Sequence, residues 1–247
     1  MTHRFSLGLA TAIATASLLA AGTADASAIT ASYSTLSASN PDVGGGYSGA
    51  VVTGLVKSKL GPDGLPVVSG NSQDASNPST ILTDVNAAGE LLWWTPQAGL
   101  VTAGTTYAYP TTVTLPFDIQ SNFFPTGPGT SDGADGYVSA RLDGTFNLAS
   151  AGSITLNLGS DDDAWVFIDG NLVVDNGGVH ALRTAPTTVT ALSAGAHTID
   201  VFFADRHVVE SGLYFDASVT VNPVPEPASL ALLGAGLLGL AGLRRRG

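Results

Sequence analysis

Away from its two apolar ends, the chain sets short runs of apolar and β-branched residues between turn residues, with no long helical period. The runs are Thr111 to Phe117, Tyr137 to Leu142, Ser153 to Leu158, Ala164 to Ile168, Leu172 to Val174, Thr187 to Ala191, His197 to Ala204 and Leu213 to Val221. Strands at such spacing predict an all-β domain, an antiparallel β-sandwich of jelly-roll-like form. In Ala164 to Ile168, Trp165 and Phe167 face one side and Val166 and Ile168 the other, so both faces are apolar and the strand belongs inside a layered core. Asp169-Gly170-Asn171 suits a tight hairpin turn, and Asn176-Gly177-Gly178 a second sharp one. The Ser-, Gly- and Asn-rich stretch Ala31 to Gly49 reads as an irregular lead-in. Asp63-Gly64, Asn71 to Ser79 and Gly127 to Gly136 read as loops.

The ends carry different signals. Arg4, the apolar run Leu7 to Ala21, and small residues at Ala24-Asp25-Ala26 or Ala26-Ser27-Ala28 predict a signal peptide over residues 1–28. The β domain is expected over 29–222. In residues 223–247, Pro225-Glu226-Pro227 precedes an apolar helix, Ala228 to Leu243, and then Arg244 to Arg246. Such a helix reaches roughly 24 Å, a marginal match to a membrane core of about 30 Å. The arginines favour the cytoplasmic side.

Charge narrows the partners. Between Ile29 and Asn222, five basic residues stand against eighteen acidic ones, a net charge near −13. That excludes the basic footprint nucleic acid needs and favours divalent cations and neutral partners such as sugars. Cysteine is absent, which removes disulfides, thiol nucleophiles and cysteine zinc sites.

Candidate chemistry gathers in two places. Asp161, Asp162 and Asp163 are adjacent; their repulsion is relieved by solvent or by a hard cation such as calcium, which takes oxygen ligands. Trp165 is a core residue or a stacking platform. His180 is a metal ligand or a hydrogen-bonded structural residue, and Asp175 either orients it or caps the turn. The second cluster holds Asp205, Arg206, His207, Glu210 and Ser211; a buried Arg206–carboxylate pair would be architectural. Adjacent aspartates do not flank a bond as glycosidase carboxylates do, and Ser211 lacks a G-x-S-x-G surround. A binding role is therefore expected rather than an enzyme.

G-S-D-D-D-A-W-V-F-I-D-G, V-V-D-N-G-G-V-H and F-F-A-D-R-H, with weaker matches at Leu55 to Pro66, Leu92 to Trp94 and Phe123 to Pro125, resemble the fibro-slime domain over about Tyr47 to Val221. That domain is related to protective-antigen-like β-domains, and the resemblance too implies a β-sandwich. In its sugar-binding relatives, two adjacent aspartates and polar groups of a later loop hold one calcium, which holds sugar hydroxyls. Here this implies Asp161 and Asp162, or Asp162 and Asp163, with Asp205 or Glu210 substituting in the later loop, where the relatives' Asn-x-Asp pattern is missing. The P-E-P, apolar helix and basic tail resemble the PEP-CTERM sorting signal of Gram-negative bacteria. This implies an exosortase-type protease, transient anchoring in the inner membrane and final placement on the cell surface or outside it. The expected function is calcium-dependent recognition of a glycan or exopolysaccharide; a structural matrix protein stiffened by calcium is the alternative.

Overall fold

The computed structural model describes residues 27–45, 49–74, 80–130 and 136–224. The signal segment up to residue 26 and the C-terminal apolar helix lie outside the described residues. Among the described residues, fourteen strands follow in chain order: β1 (Ala28–Leu36), β2 (Val56–Leu60), β3 (Pro66–Val68), β4 (Val101–Ala103), β5 (Thr112–Thr114), β6 (Phe117–Ile119), β7 (Tyr137–Leu148), β8 (Gly152–Asp161), β9 (Asp163–Ile168), β10 (Asn171–Asn176), β11 (Arg183–Leu192), β12 (Gly195–Ala204), β13 (Gly212–Ala217) and β14 (Asn222–Pro223). A large sheet runs β3-β2-β10-β9-β12-β7-β1-β4, with β5 also on β1 and β14 also on β7; a second sheet runs β11-β8-β13-β6. All the strand pairings are antiparallel, so the all-β sandwich expected from the alternation is present.

Two cores result, one on each face of the large sheet. Val166, Ile168, Val201 and Phe203 meet Leu156, Leu158, Leu213 and Phe215 between the sheets. On the other face, Trp165, Phe167 and Phe202 are covered by Leu55, Leu82, Leu91 and Trp93 from the irregular segment before β4. β9 is thus buried on both faces, as its double apolar pattern requires. Each such aromatic or aliphatic side chain contributes roughly 1.5–3 kcal/mol on burial.

The β9–β10 hairpin turns at Asp169 (φ 50°) and Gly170 (φ 70°), the pair of positive dihedrals a two-residue primed turn demands. Asp169 also fixes the next strand: its carboxylate accepts from Thr198 N–H at 2.9 Å and lies 2.7 Å from His197 Nδ1. That carboxylate holds the His197 imidazole above its ordinary pKa.

The lead-in assignment needs correcting. Ala31 to Leu36 lie within β1, an interior strand between β7 and the β4/β5 edge. Ile29, Ala31 and Tyr33 alternate into the core, but Ala and Ser at neighbouring positions make the composition look like a loop. β1 and β14 also bring the ends of the domain together. Ala28 N–H donates to Val221 O at 3.0 Å, and Val221 N–H to Ser27 Oγ at 2.9 Å.

Candidate functional site

Asp161 to Asp163 stand at a corner. β8 belongs to the small sheet and β9 to the large one, so the chain crosses between sheets at these residues. Two other crossings, β10 to β11 and β12 to β13, lie at the same end. Their flanking registers show it: Asn176 pairs with Ala164, Arg183 with Ser160, Ala204 with Asp163, and Gly212 with Asp161. Between the three loops lies a pocket of about 310 Å³ whose walls include Asp161, Asp162, His180, His207 and Glu210.

The three aspartates have different surroundings. Asp163 turns inward. One of its oxygens accepts from Gly178 N–H, and the other receives Arg206 Nε at 2.8 Å and Nη2 at 2.6 Å. Both groups of this ion pair are fully buried. Arg206 also donates to Asp42 O at 2.9 Å and to Gln73 Oε1, and its guanidinium lies 4.9 Å from the Trp93 ring centroid. The architectural reading of Arg206 is the one the geometry supports, and it assigns Asp163 to the same staple.

Asp162 is 1 % exposed. Its two oxygens accept His180 N–H and Arg206 N–H, each at 2.9 Å. Burial, then the charge of Asp163, pushes its carboxyl up to about 6 against the opposing help of those donors. Asp161, joined to Asp162 by a cis peptide bond, is also buried and lines the pocket.

The remaining candidates divide. The ring nitrogens of His180 face carbonyl oxygens, Nδ1 at 3.0 Å from Ala181 O and Nε2 at 3.3 Å from Asn176 O, so the ring is held structurally. Asp175 does not orient it. Its carboxylate accepts from Trp165 Nε1 and Gly54 N–H, which places both Asp175 and the fully buried Trp165 in the scaffold, and burial raises the pKa of Asp175. Asp205 is fully buried and accepts from His207 N–H. Glu210, at φ 62°, and His207 reach the pocket wall. Among the described residues, no three His, Asp or Glu side chains gather closely enough to hold a metal by themselves.

Two features escaped the sequence. In the aliphatic wall of Val179, Ala181 and Val209, the last two carry no motif. Asp42 is a buried hub, accepting from Trp93 Nε1, Thr83 N–H and Asp84 N–H. Its only signal was an aspartate in the Ser- and Gly-rich lead-in.

Residues 102–223 match the PA14 domain. Residues 223–246 match the PEP-CTERM protein-sorting motif. Protein psiF of Dictyostelium discoideum is 26% identical over 203 residues, covering 68% of this chain and 28% of psiF. Protein psiQ of the same organism is 29% identical over 192 residues, covering 70% of this chain and 19% of psiQ. The chain spans less than a third of the length of either relative. Among solved structures, the PA14 domain of the MpAFP antifreeze protein is 18% identical with a TM-score of 0.30, covering 42% of this chain and 61% of that one. The epithelial adhesin 9 A domain of Candida glabrata, in complex with Galb1-4GlcNAc, is 14% identical with a TM-score of 0.27, covering 47% and 50%. The psi proteins agree with the fibro-slime resemblance. The matches over residues 102–223 and 223–246 bear out the resemblance to the fibro-slime domain, related to PA14, and to the PEP-CTERM sorting signal.

Proposed function

We propose that this is an exported glycan-binding protein of the cell surface or extracellular matrix, binding exopolysaccharide through a calcium ion at the three-loop corner. The observation that carries the reading is Asp162: a carboxylate 1 % exposed, in a pocket wall, beside the like charge of Asp163. A cation there relieves both burial and repulsion. The donor set suits a hard ion, since Asp161 and Asp162 offer carboxylate oxygens and Glu210 stands on the same pocket's wall. Asp163 and Asp205 are outside this set, the first committed to Arg206 and the second buried against the His207 main chain. Bound calcium would supply an oxygen-coordinating field for sugar hydroxyls. The protein's own part is to hold Asp162 by two main-chain donors and to wall the pocket with Val179 and Val209.

Calcium at 100 times its dissociation constant is expected to stabilise the domain by roughly 2.7 kcal/mol. Asp162→Asn should lose that gain together with glycan binding, and Glu210→Gln should weaken the glycan. Calorimetry of the purified protein against a broad glycan panel, with calcium and with EGTA, reads all three. Stabilisation by calcium with no glycan bound by the loaded protein would leave the structural matrix reading in its place.

Export is expected to remove both ends. Ser27 accepts Leu115 N–H at its carbonyl and Val221 N–H at its hydroxyl oxygen, so cleavage after Ala26 keeps these bonds and cleavage after Ala28 deletes them. At the other end, Thr30 Oγ1 holds Val224 O at 3.1 Å, just before the P-E-P sequence. We therefore expect mature protein that begins at Ser27 and ends near Pro227, after transient inner-membrane anchoring and exosortase-type cleavage. Mass spectrometry of secreted material checks this; an Ile29 start or an intact Arg244 to Arg246 tail would count against it.

A further inference from the structure

The acidic corner is not the only recess with the chemistry of a binding site. β4 pairs with Ser34 to Leu36 and β5 with Ala28 to Thr30, both along the edge of β1 away from β7. Between them the chain leaves the edge. Its two feet are fixed by Gly104 N–H to Tyr33 O and Ala31 N–H to Thr111 O, each 2.8 Å. The loop and the bared edge of β1 enclose a pocket of about 390 Å³.

One wall is the ring of Tyr107, 44% exposed yet held in place. Its N–H donates to Pro125 O at 3.0 Å, and its carbonyl accepts from Thr105 Oγ1 at 2.6 Å. The ring rests 4.7 Å from the buried ring of Tyr109, which packs in turn on Tyr33 and Phe123. Beneath it lies Gly127, where a Cβ would come within 2.7 Å of the Tyr107 ring, so the resting place depends on that glycine. An exposed aromatic side chain with its orientation already fixed loses little freedom on binding.

The other walls carry Thr30, Ser32, Thr105 and Thr111. The Thr30 and Thr105 hydroxyls donate to Val224 O and Tyr107 O and so are free only to accept. Among the described residues, no charged one lines the pocket. Hydroxyls both donate and accept, as sugar hydroxyls do, and a flat ring suits the apolar face of a pyranose. We propose that this pocket binds a neutral saccharide ring against Tyr107, independently of any cation. A domain of net charge near −13 disfavours anionic ligands at the same place. The pocket shares no lining residue with the acidic corner, and its β1 wall precedes the span matched to the PA14 domain.

The test is isothermal calorimetry of the mature protein in EGTA with three neutral probes, cellohexaose, laminarihexaose and mannohexaose. At least one should bind. Tyr107→Ala should weaken it about tenfold or more, as loss of a central aromatic anchor does. Tyr107→Phe and Asp162→Asn should leave it unchanged. Thr111→Arg, an exposed substitution that fills the pocket, should block it even if Tyr107→Ala fails to fold. No binding of any probe in EGTA overturns the proposal, as does binding that survives both Tyr107→Ala and Thr111→Arg. Binding that disappears with Asp162→Asn belongs to the acidic corner and overturns it too.

Discussion

Replacing Arg206 with methionine is expected to destabilise the domain by about 3–5 kcal/mol, the cost of leaving a buried carboxylate without its partner. Asp163 would keep only the Gly178 N–H, in a place with no access to water. The loss extends beyond one ion pair. Arg206 ties the large sheet to Asp42 and Gln73 of the covering segment and packs its plane against Trp93. Lysine would not rescue it, because an ammonium cannot span these partners with a planar fork. Removing the charge at both ends, as Arg206→Met with Asp163→Leu, should recover part of the loss. Urea unfolding midpoints decide it. A single variant that unfolds within about 1 kcal/mol of the wild type would mean the staple carries little stability.

A second variant should stabilise. Asp143 and Asp200 are direct cross-strand partners on β7 and β12, and both carboxylates reach for Arg141, at 2.7 Å and 3.0 Å. Like charges directly opposite each other are unfavourable. Burial above all, offset by Arg141 and reinforced by Asp200, pushes the Asp143 carboxyl from 3.8 up to about 6. A folded value above the unfolded one means the native state binds the extra proton. This contribution is fully present below about 3.8 and is lost as pH rises through about 6. At about 1.4 kcal/mol per pKa unit it amounts to roughly 2 kcal/mol, allowing for the part of the carboxylate that meets water. Asn at 143 imitates the protonated form: its carbonyl accepts from Arg141 Nε, and its amide donates to Asp200. Asp143→Asn should therefore flatten the decline of stability between pH 4 and 7, and exceed the wild type at pH 7 by about 1–2 kcal/mol. Denaturant titrations across that range would refute this if the two proteins kept parallel slopes.

Much of the sandwich was legible because its longer strands set runs of apolar and β-branched residues between turn residues. β7 to β13 each contain a run visible as alternation, and the Asp169-Gly170 turn announced its own dihedrals. β1 was hidden because its inward positions include the small Ala31 and its outward ones are serines and threonines. β2, β3 and β4 are three to five residues long and were equally hard to see. At the site, the sequence located the acidic corner but could not divide its labour. Asp162 and Asp163 are chemically identical neighbours. The bend between β8 and β9 leaves Asp162 at the pocket wall while Asp163, the first residue of β9, meets Arg206, a partner 43 residues away. The tyrosine pocket had no signature at all, since it needs β1 and a loop some seventy-five residues later to meet.

The meeting of the two domain ends has a mechanical consequence. A pull on the tail enters the fold at Val224 and passes into β14, two residues long and paired only with Thr145 and Gly144 of β7. So short a strand peels one hydrogen bond at a time at low force. Peeling then reaches Val221, whose side chain is buried in the core and whose main chain is gripped from both sides by Ser27 and Ala28. Beyond that point the chain leads into β13, which pairs with β8 over six residues and with β6 over three. A pull on the tail would thus first release a short slack and then meet the buried Val221, keeping the sandwich intact.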